Sequence, residues 1–336
     1  MKCRLLIFSL FATLPLMAGG QDLKKSDVKA KAAIEAFTDP DKAGADYQIQ
    51  GEYITDNTAR RRYGIQVIAA GDGKFTMRAL RGGLPGEGWD GSTEYKFTGK
   101  TTDGKVTFEG DVASGEIGGG AVIATLRDSG EVVKFQRVIR RSPTEGLKPP
   151  PGAAVLFDGS NAGAWDKGKV ENGLLSTMVP GGINSKRTFG DCTVHVEFRT
   201  PFMPLAAGQD RGNSGVYLQG RYEVQVLDSF GLAGKNNECG GIYELSDPIV
   251  NMCYPPLQWQ TYDIEYVAAK FDPAGKKVKD AVITVKHNGV LVQDHVALKR
   301  DTRAAPVKEG PAKGPLHLQN HGNPVHYRNI WVVEKQ

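Results

Sequence analysis

The sequence predicts an all-β protein of two domains, the second a two-sheet jelly roll. Three observations carry this reading. Segments that alternate apolar and polar residues recur along the chain, the period-two pattern of strands with one buried face. Glycine and aspartate turns such as Gly71-Asp72-Gly73, Gly82-Gly83 and Asp103-Gly104 separate them at short intervals. In the second half no segment carries a helical period of convincing length, whereas Asn288-Gly289 between two apolar runs is a strong hairpin signal.

The elements follow in chain order. Lys2 and Arg4 precede an apolar stretch, residues 5–17, broken only by Ser9 and Thr13; the small residues Ala18, Gly19 and Gly20 follow. This is the pattern of a signal peptide over residues 1–20, with an apolar stretch too short for a membrane span. No later stretch is long and apolar enough to cross a bilayer. The expectation is an exported protein, periplasmic or extracellular. Residues 21–37 are Lys/Ala-rich and read as a short helix. Strands are expected at 47–54, 63–69, 74–80, 92–98, 105–109 and 132–140. Together they give a smaller, β-rich accessory domain over 21–141. The glycine cluster from Gly115 to Gly120 lacks a following Gly-Lys-Ser/Thr, so it reads as hairpin turns rather than a phosphate loop. Pro149-Pro150-Pro151 favours an extended segment that no sheet interior accepts, which sets a linker at 142–152 and the second domain at 153–336.

In that second domain D-C-T-V-H-V-E-F-R (191–199) puts Val194, Val196 and Phe198 on one face and His195, Glu197 and Arg199 on the other. Y-E-V-Q-V-L-D (222–228) likewise opposes Val224 and Val226 to Glu223 and Gln225. The expectation is a valine face inside the sandwich, with Glu197, Arg199, Glu223 and Gln225 together on a concave polar face suited to a sugar. Residues 261–266 alternate in the same way, and 315–319 and 325–333 close the domain.

Composition narrows the function. The chain has 336 residues, 40% hydrophobic and 24% charged, as expected of globular protein rather than disorder. A net charge of +4 makes no case for a nucleic-acid partner, and Arg60-Arg61-Arg62 reads as a solvated turn. Cys3 leaves with the signal peptide. Cys192, Cys239 and Cys253 remain; in an oxidising compartment Cys239 and Cys253, which bracket a short loop, are the expected disulfide, and Cys192 a small core residue. A Cys/His metal site lacks any C-x-x-C spacing.

Several constellations admit chemistry. Glu197 and Arg199 read as a solvent-face ion pair or as the wall of a groove. Glu223-x-Gln225 places one carboxylate on its face, so it does not supply the acid–base pair of an ordinary glycosidase. Gly212-Asn213-Ser214-Gly215 lacks the spacing of a nucleophile elbow and reads as a turn, with Asn213 free to bond a ligand or its own backbone. His317, Gln319 and His321 alternate on a strand running into a turn, followed by His326 and Arg328; two such histidines suit a metal, and a polar sheet face explains them as well. Tyr217, Tyr243, Trp259 and Tyr327 are candidates for stacking on a sugar or for the core.

These segments together resemble the 3-keto-disaccharide hydrolase domain family. The matching pieces run in order: V-L-F-D-G-S-N-A-G-A-W (155–165), E-N-G-L-L (171–175), H-V-E-F-R, G-N-S-G-V-Y-L-Q and Y-E-V-Q-V-L-D. C-G-G-I-Y from Cys239, W-Q-T-Y-D-I from Trp259, H-N-G-V, L-Q-N-H-G and Y-R-N-I-W follow. The resemblance covers residues 153–336, and Cys239 and Cys253 look like those of one subgroup. It implies a concanavalin-A-like jelly roll that cleaves glycosides whose sugar carries a ketone at C3. Such a ketone acidifies the C2 proton; a base removes it, the C1 substituent leaves, and water adds. That chemistry needs one base and an oxyanion stabiliser. Glu223 is the first choice for the base, with Glu197 and His321 as further catalytic candidates. Arg199, Asn213, Gln225, Tyr243, His317, Gln319 and Arg328 are the expected substrate contacts. A divalent cation at the ketone is compatible with the chemistry, and the sequence names no ligand set for it. A non-catalytic carbohydrate-binding module and a conventional glycoside hydrolase are the alternatives.

Overall fold

The computed structural model describes residues 35–55 and 62–335. The expected signal peptide, most of the expected helix at 21–37, and Arg60 and Arg61 lie outside these residues. The first half closes into an antiparallel barrel of eight strands: β1 (Gly51–Thr55), β2 (Tyr63–Gly71), β3 (Lys74–Arg81), β4 (Glu94–Thr102), β5 (Lys105–Glu109), β6 (Ala113–Gly118), β7 (Ala121–Leu126) and β8 (Val132–Val138), with β8 pairing back onto β1. Closure leaves no open edge, and alternate residues such as Val67, Phe75, Met77, Phe108 and Phe135 fill the interior. Two local readings change. Residues 44–49 form a single helical stretch, α1 (Gly44–Ile49), where a strand was expected from Tyr47; Tyr47 and Ile49 still pack on the barrel core. The cluster from Gly115 to Gly120 is mostly strand rather than turns. Gly115 sits in β6 because a Cβ there would collide with the Ile123 carbonyl oxygen and the Phe108 ring, and only Gly119 and Gly120 turn the chain.

The second half is a two-sheet sandwich. Its strands are β9 (Ala154–Phe157), β10 (Lys169–Glu171), β11 (Leu174–Ser176), β12 (Ile183–Phe189), β13 (Cys192–Arg199), β14 (Ser214–Leu218), β15 (Tyr222–Val226), β16 (Gln260–Val267), β17 (Lys270–Phe271), β18 (Lys277–Lys279), β19 (Ala281–His287), β20 (Val290–Leu298), β21 (Gly314–Leu318) and β22 (His326–Glu334). The larger sheet runs β10-β11-β22-β13-β16-β19-β20, with β9 also on β22; the smaller runs β12-β21-β14-β15. Asn288 and Gly289 turn between β19 and β20 with φ of +51° and +79°, as the Asn-Gly pair requires. Val194, Val196 and Phe198 of the larger sheet meet Val216, Val224 and Val226 of the smaller in one core.

This packing corrects the expected groove. Both valine faces point inward, so the polar faces point outward on opposite sides of the sandwich. Glu197 and Arg199 lie on the outer face of the larger sheet, and Glu223 and Gln225 on that of the smaller. Residues 142–148 do not hang free as a spacer. They cross the outer face of the larger sheet, where Ser142 bonds Thr261, Thr144 bonds Asp263, and the Gly146 N–H donates to Glu197. Barrel and sandwich belong to one compact unit, Ile34–Gln336. The buried Arg140 guanidinium grips Glu52 of β1 through two bonds of 2.7 and 2.6 Å and lies 4.8 Å over the ring of Tyr254.

Candidate active site on the smaller sheet

Register places the candidate residues. Across the smaller sheet, Asn184 of β12 pairs with His317 of β21, His317 with Tyr217 of β14, and Tyr217 with Glu223 of β15. In-register strands with a two-residue period put all four side chains in one row on the outer face. The next row holds Gly215 opposite Gln225, with the Gln319 N–H donating to the Gly215 carbonyl. Gly215 leaves the gap into which Glu223 folds; a Cβ at Gly215 would collide with the Glu223 carboxylate. The outer edge of β15 is closed by the following loop, where Gln225 N–H donates to Gly241, Gly240 N–H to Gln225 and Tyr243 N–H to Glu223.

Glu223, Tyr217 and His317 are sunk out of solvent, and Asn184 at the end of the row is half-buried. Glu223 is 2% exposed, and no ion pair reaches it among the described residues. Burial therefore pushes its carboxyl up to about 8, against the opposing pull of a hydrogen bond with Tyr217. Gln319 Nε2 donates to the Tyr217 oxygen at 3.0 Å, so the Tyr217 proton is the one left to point at Glu223. The Tyr217 hydroxyl is itself held protonated, first by burial and then by the Glu223 charge. His317 stands edge-on to Tyr217, ring centres 5.1 Å apart. Its Nδ1 bonds Asn184 Oδ1 at 2.9 Å, while Asn184 donates its backbone N–H and Nδ2 to Asp166. Burial drives the His317 imidazole down to about 4, so it is neutral at ordinary pH. Around the row, Asn213 Oδ1, Gln225 Oε1 and Gln319 Oε1 are buried without a partner. Buried acceptors are normally satisfied, so these three are available to the donors of a ligand or of water.

Several expected site residues lie elsewhere. Glu197 is fully buried beneath residues 142–148. Burial pushes its carboxyl up, but hydrogen bonds from His195, Asn329, the Gly146 N–H and Arg328 outweigh this and hold it at about 2. Arg328 Nε donates to it at 2.6 Å. Arg199 and Arg328 both lie over the ring of Trp259, at 5.1 and 4.0 Å from its centre, and Arg199 also donates to the Thr38 carbonyl. Alternation had shown that these side chains leave the core but not on which sheet. His321 lies exposed in the loop after β21, and Tyr243 is half-buried with its backbone on Glu223. Of the expected bridge, Cys239 and Cys253 stand side by side as thiols in the structure, fully buried and hydrogen-bonded to each other. Tyr217 as a hydroxyl, Gln209, Asn184 and Asp166 were missed as site residues. Tyr217 was legible from the two-residue register once β14 and β15 are paired; the others come from loops and a third strand whose pairing the sequence does not state.

No group of three or more His, Cys, Asp or Glu among the described residues is arranged to hold a metal ion. No described helix is long and apolar enough to cross a membrane. A cavity of about 480 Å³ lined by Asp191, Lys270, Lys313, Glu334 and Lys335 lies away from Glu223. Its acids already pair with lysines, so we place the site at the Glu223 row.

No curated protein matches the chain. A solved structure from Parabacteroides distasonis, provisionally described as a glycosyl hydrolase, is 35% identical, covering 55% of this chain and 85% of that one with a TM-score of 0.50. Two further structures so described from the same organism are 16% and 20% identical, with TM-scores of 0.41 and 0.39; each covers 55% of this chain, and 95% and 99% of its own. The sequence profile of the 3-keto-alpha-glucoside-1,2-lyase-like domain matches residues 152–333, more than half of the chain. Through its second half, therefore, the protein is a member of the 3-keto-alpha-glucoside-1,2-lyase-like domain family.

Proposed function

We propose that the protein cleaves 3-keto-glycosides by elimination followed by hydration, with Glu223 as the base. The observation that carries this is a buried carboxyl without a cation, titrating at about 8 beside a tyrosine hydroxyl. A carboxylate so poorly solvated is basic enough to take a proton acidified by a neighbouring ketone. Glu223 takes the C2 proton; the C2–H electron pair moves to C2–C3 and charge develops on the C3 oxygen. The Tyr217 O–H turns to that oxygen. The enolate pair then forms C1=C2 as the C1–O bond breaks, and the departing oxygen takes the proton that Glu223 removed, which restores the carboxylate. Water adding across C1=C2 completes a net hydrolysis. The oxygens of Asn213, Gln225 and Gln319 accept sugar hydroxyls, and neutral His317 binds beside them.

The order of Lys2, Arg4, the apolar residues 5–17 and the small residues 18–20 supports export of the mature chain to the periplasm or beyond. The test of function is turnover of 3-keto-trehalose or a 3-keto-glucoside by wild type and Glu223→Gln. Removal of a positioned general base is expected to cost roughly two to four powers of ten. Saturable binding by wild type without release of aglycone would instead favour a carbohydrate-binding module, which the three unpartnered oxygens serve equally well.

A further inference from the structure

Gln209, in the loop joining β13 to β14, holds both of the site amides. Its Oε1 accepts from Asn213 Nδ2 and from Gln225 Nε2, each at 3.1 Å. Its own carbonyl accepts a second bond from Asn213 Nδ2 at 2.8 Å, and its Nε2 donates to the Asn237 carbonyl at 2.7 Å. The atoms left over are Asn213 Oδ1 and Gln225 Oε1, both buried and unpartnered. Turning either amide over would set oxygen against the oxygen of Gln209. Gln209 thus decides that the site offers acceptors rather than donors, which suits a ligand with free hydroxyls and rejects one whose hydroxyls are capped.

The loop that carries Gln209 is fastened to the barrel. Phe202 pairs with Phe37 through two backbone bonds of 3.0 and 2.9 Å and packs in the barrel's core cluster. Leu205 lies against Gly71 at the end of β2, where a Cβ would collide with it. Arg211 donates Nη1 to the Ala69 carbonyl at 3.2 Å and Nε to the buried Asp228 at 2.7 Å. The first-domain partners in these contacts, Phe37, Ala69 and Gly71, lie outside the span matched to the family, 152–333.

We propose that Gln209 is a positioning residue that fixes the amides of Asn213 and Gln225, and that the barrel holds Gln209 in place through Arg211. The inference rests on the reading of the Glu223 row as a glycoside site, and its test separates the two. The full chain and its Gln209→Ala, Gln209→Glu and Arg211→Lys variants are compared in two ways. The first is steady-state turnover of a 3-keto-glucoside. With Gln209→Ala, KM is expected to rise about tenfold, the worth of one to two hydrogen bonds, with kcat changed much less. Gln209→Glu keeps an acceptor for both N–H groups but loses the donor to the Asn237 carbonyl, and is expected to bring KM partway back from the Gln209→Ala value toward wild type. Arg211→Lys keeps a cation for Asp228, loses the Ala69 bond, and is expected to raise KM in the same direction as Gln209→Ala. The second measurement is the NMR signals of the Asn213 and Gln225 side-chain amides, which needs no activity. They are expected to shift or broaden in Gln209→Ala and Arg211→Lys and to persist in Gln209→Glu. Unchanged amide signals in Gln209→Ala overturn the inference whether or not wild type turns over any 3-keto-glycoside, and shifted amides with an unchanged KM overturn it as well. Unchanged signals and KM in Arg211→Lys overturn the barrel's part.

Discussion

A glutamate that keeps its proton to about pH 8 is costly to the fold and useful to a base. Its native value lies above the ordinary 4.5, so between those values the native state binds the proton more tightly than the unfolded chain, and stability falls as pH rises through that window. Two outcomes follow. The kcat/KM for a 3-keto-glycoside is expected to climb with pH along a single-proton limb and level off above about 8, as a pH–rate profile checks. Glu223→Gln is expected to be more stable than wild type at pH 7, by on the order of 3 kcal/mol in denaturant titrations, and to lose that advantage near pH 4. Equal stability at both pH values would contradict the buried, uncompensated carboxyl. Glu223 was legible because Y-E-V-Q sets one carboxylate opposite two inward residues. Glu197 and Arg199 obey the same rule and were misplaced. A period of two tells which side chains leave the core, and a sandwich has two outward faces.

At the level of elements, the site depends on what a strand lacks. Gly215→Ala puts a methyl where the Glu223 carboxylate lies, and is expected to lower kcat by at least tenfold while the fold survives, as turnover and circular dichroism check. On the opposite face the effects reverse. Glu197 is locked between Arg328, Asn329, His195 and the Gly146 N–H. Glu197→Gln leaves the Arg328 guanidinium without its buried partner and is expected to lower stability by about 3 kcal/mol, with kcat on a 3-keto-glycoside unchanged. A loss of turnover without loss of stability would return Glu197 to the chemistry. The thiols of Cys239 and Cys253 touch in the structure, so export to an oxidising compartment is expected to join them. The mass of the secreted protein, two hydrogens lighter than that of the reduced chain, checks this. The strand count of the first half was under-read at β6 and β7 because glycine weakens the sequence signal of a strand even where close backbone approach demands it.

For the whole molecule, two β folds share one body. The jelly roll was legible from alternation and from the Asn288-Gly289 turn. The closure of the barrel was not, because the pairing of β1 with β8 spans the whole first domain and no local pattern encodes it. Nor was the barrel's grip on the sandwich, which runs through Arg140 over the Tyr254 ring, Phe202 with Phe37 and Arg211 with the Ala69 carbonyl. These contacts tie the first domain to the segment that carries Gln209. The central claim, proton abstraction at C2 by Glu223, is tested most directly with a 3-keto-glucoside carrying deuterium at C2, turned over in ordinary water by wild type and by Glu223→Gln. The account expects wild type to release the aglycone with loss of deuterium from the sugar, and Glu223→Gln to do neither at a comparable rate. Release of aglycone by wild type with the C2 deuterium retained would contradict it.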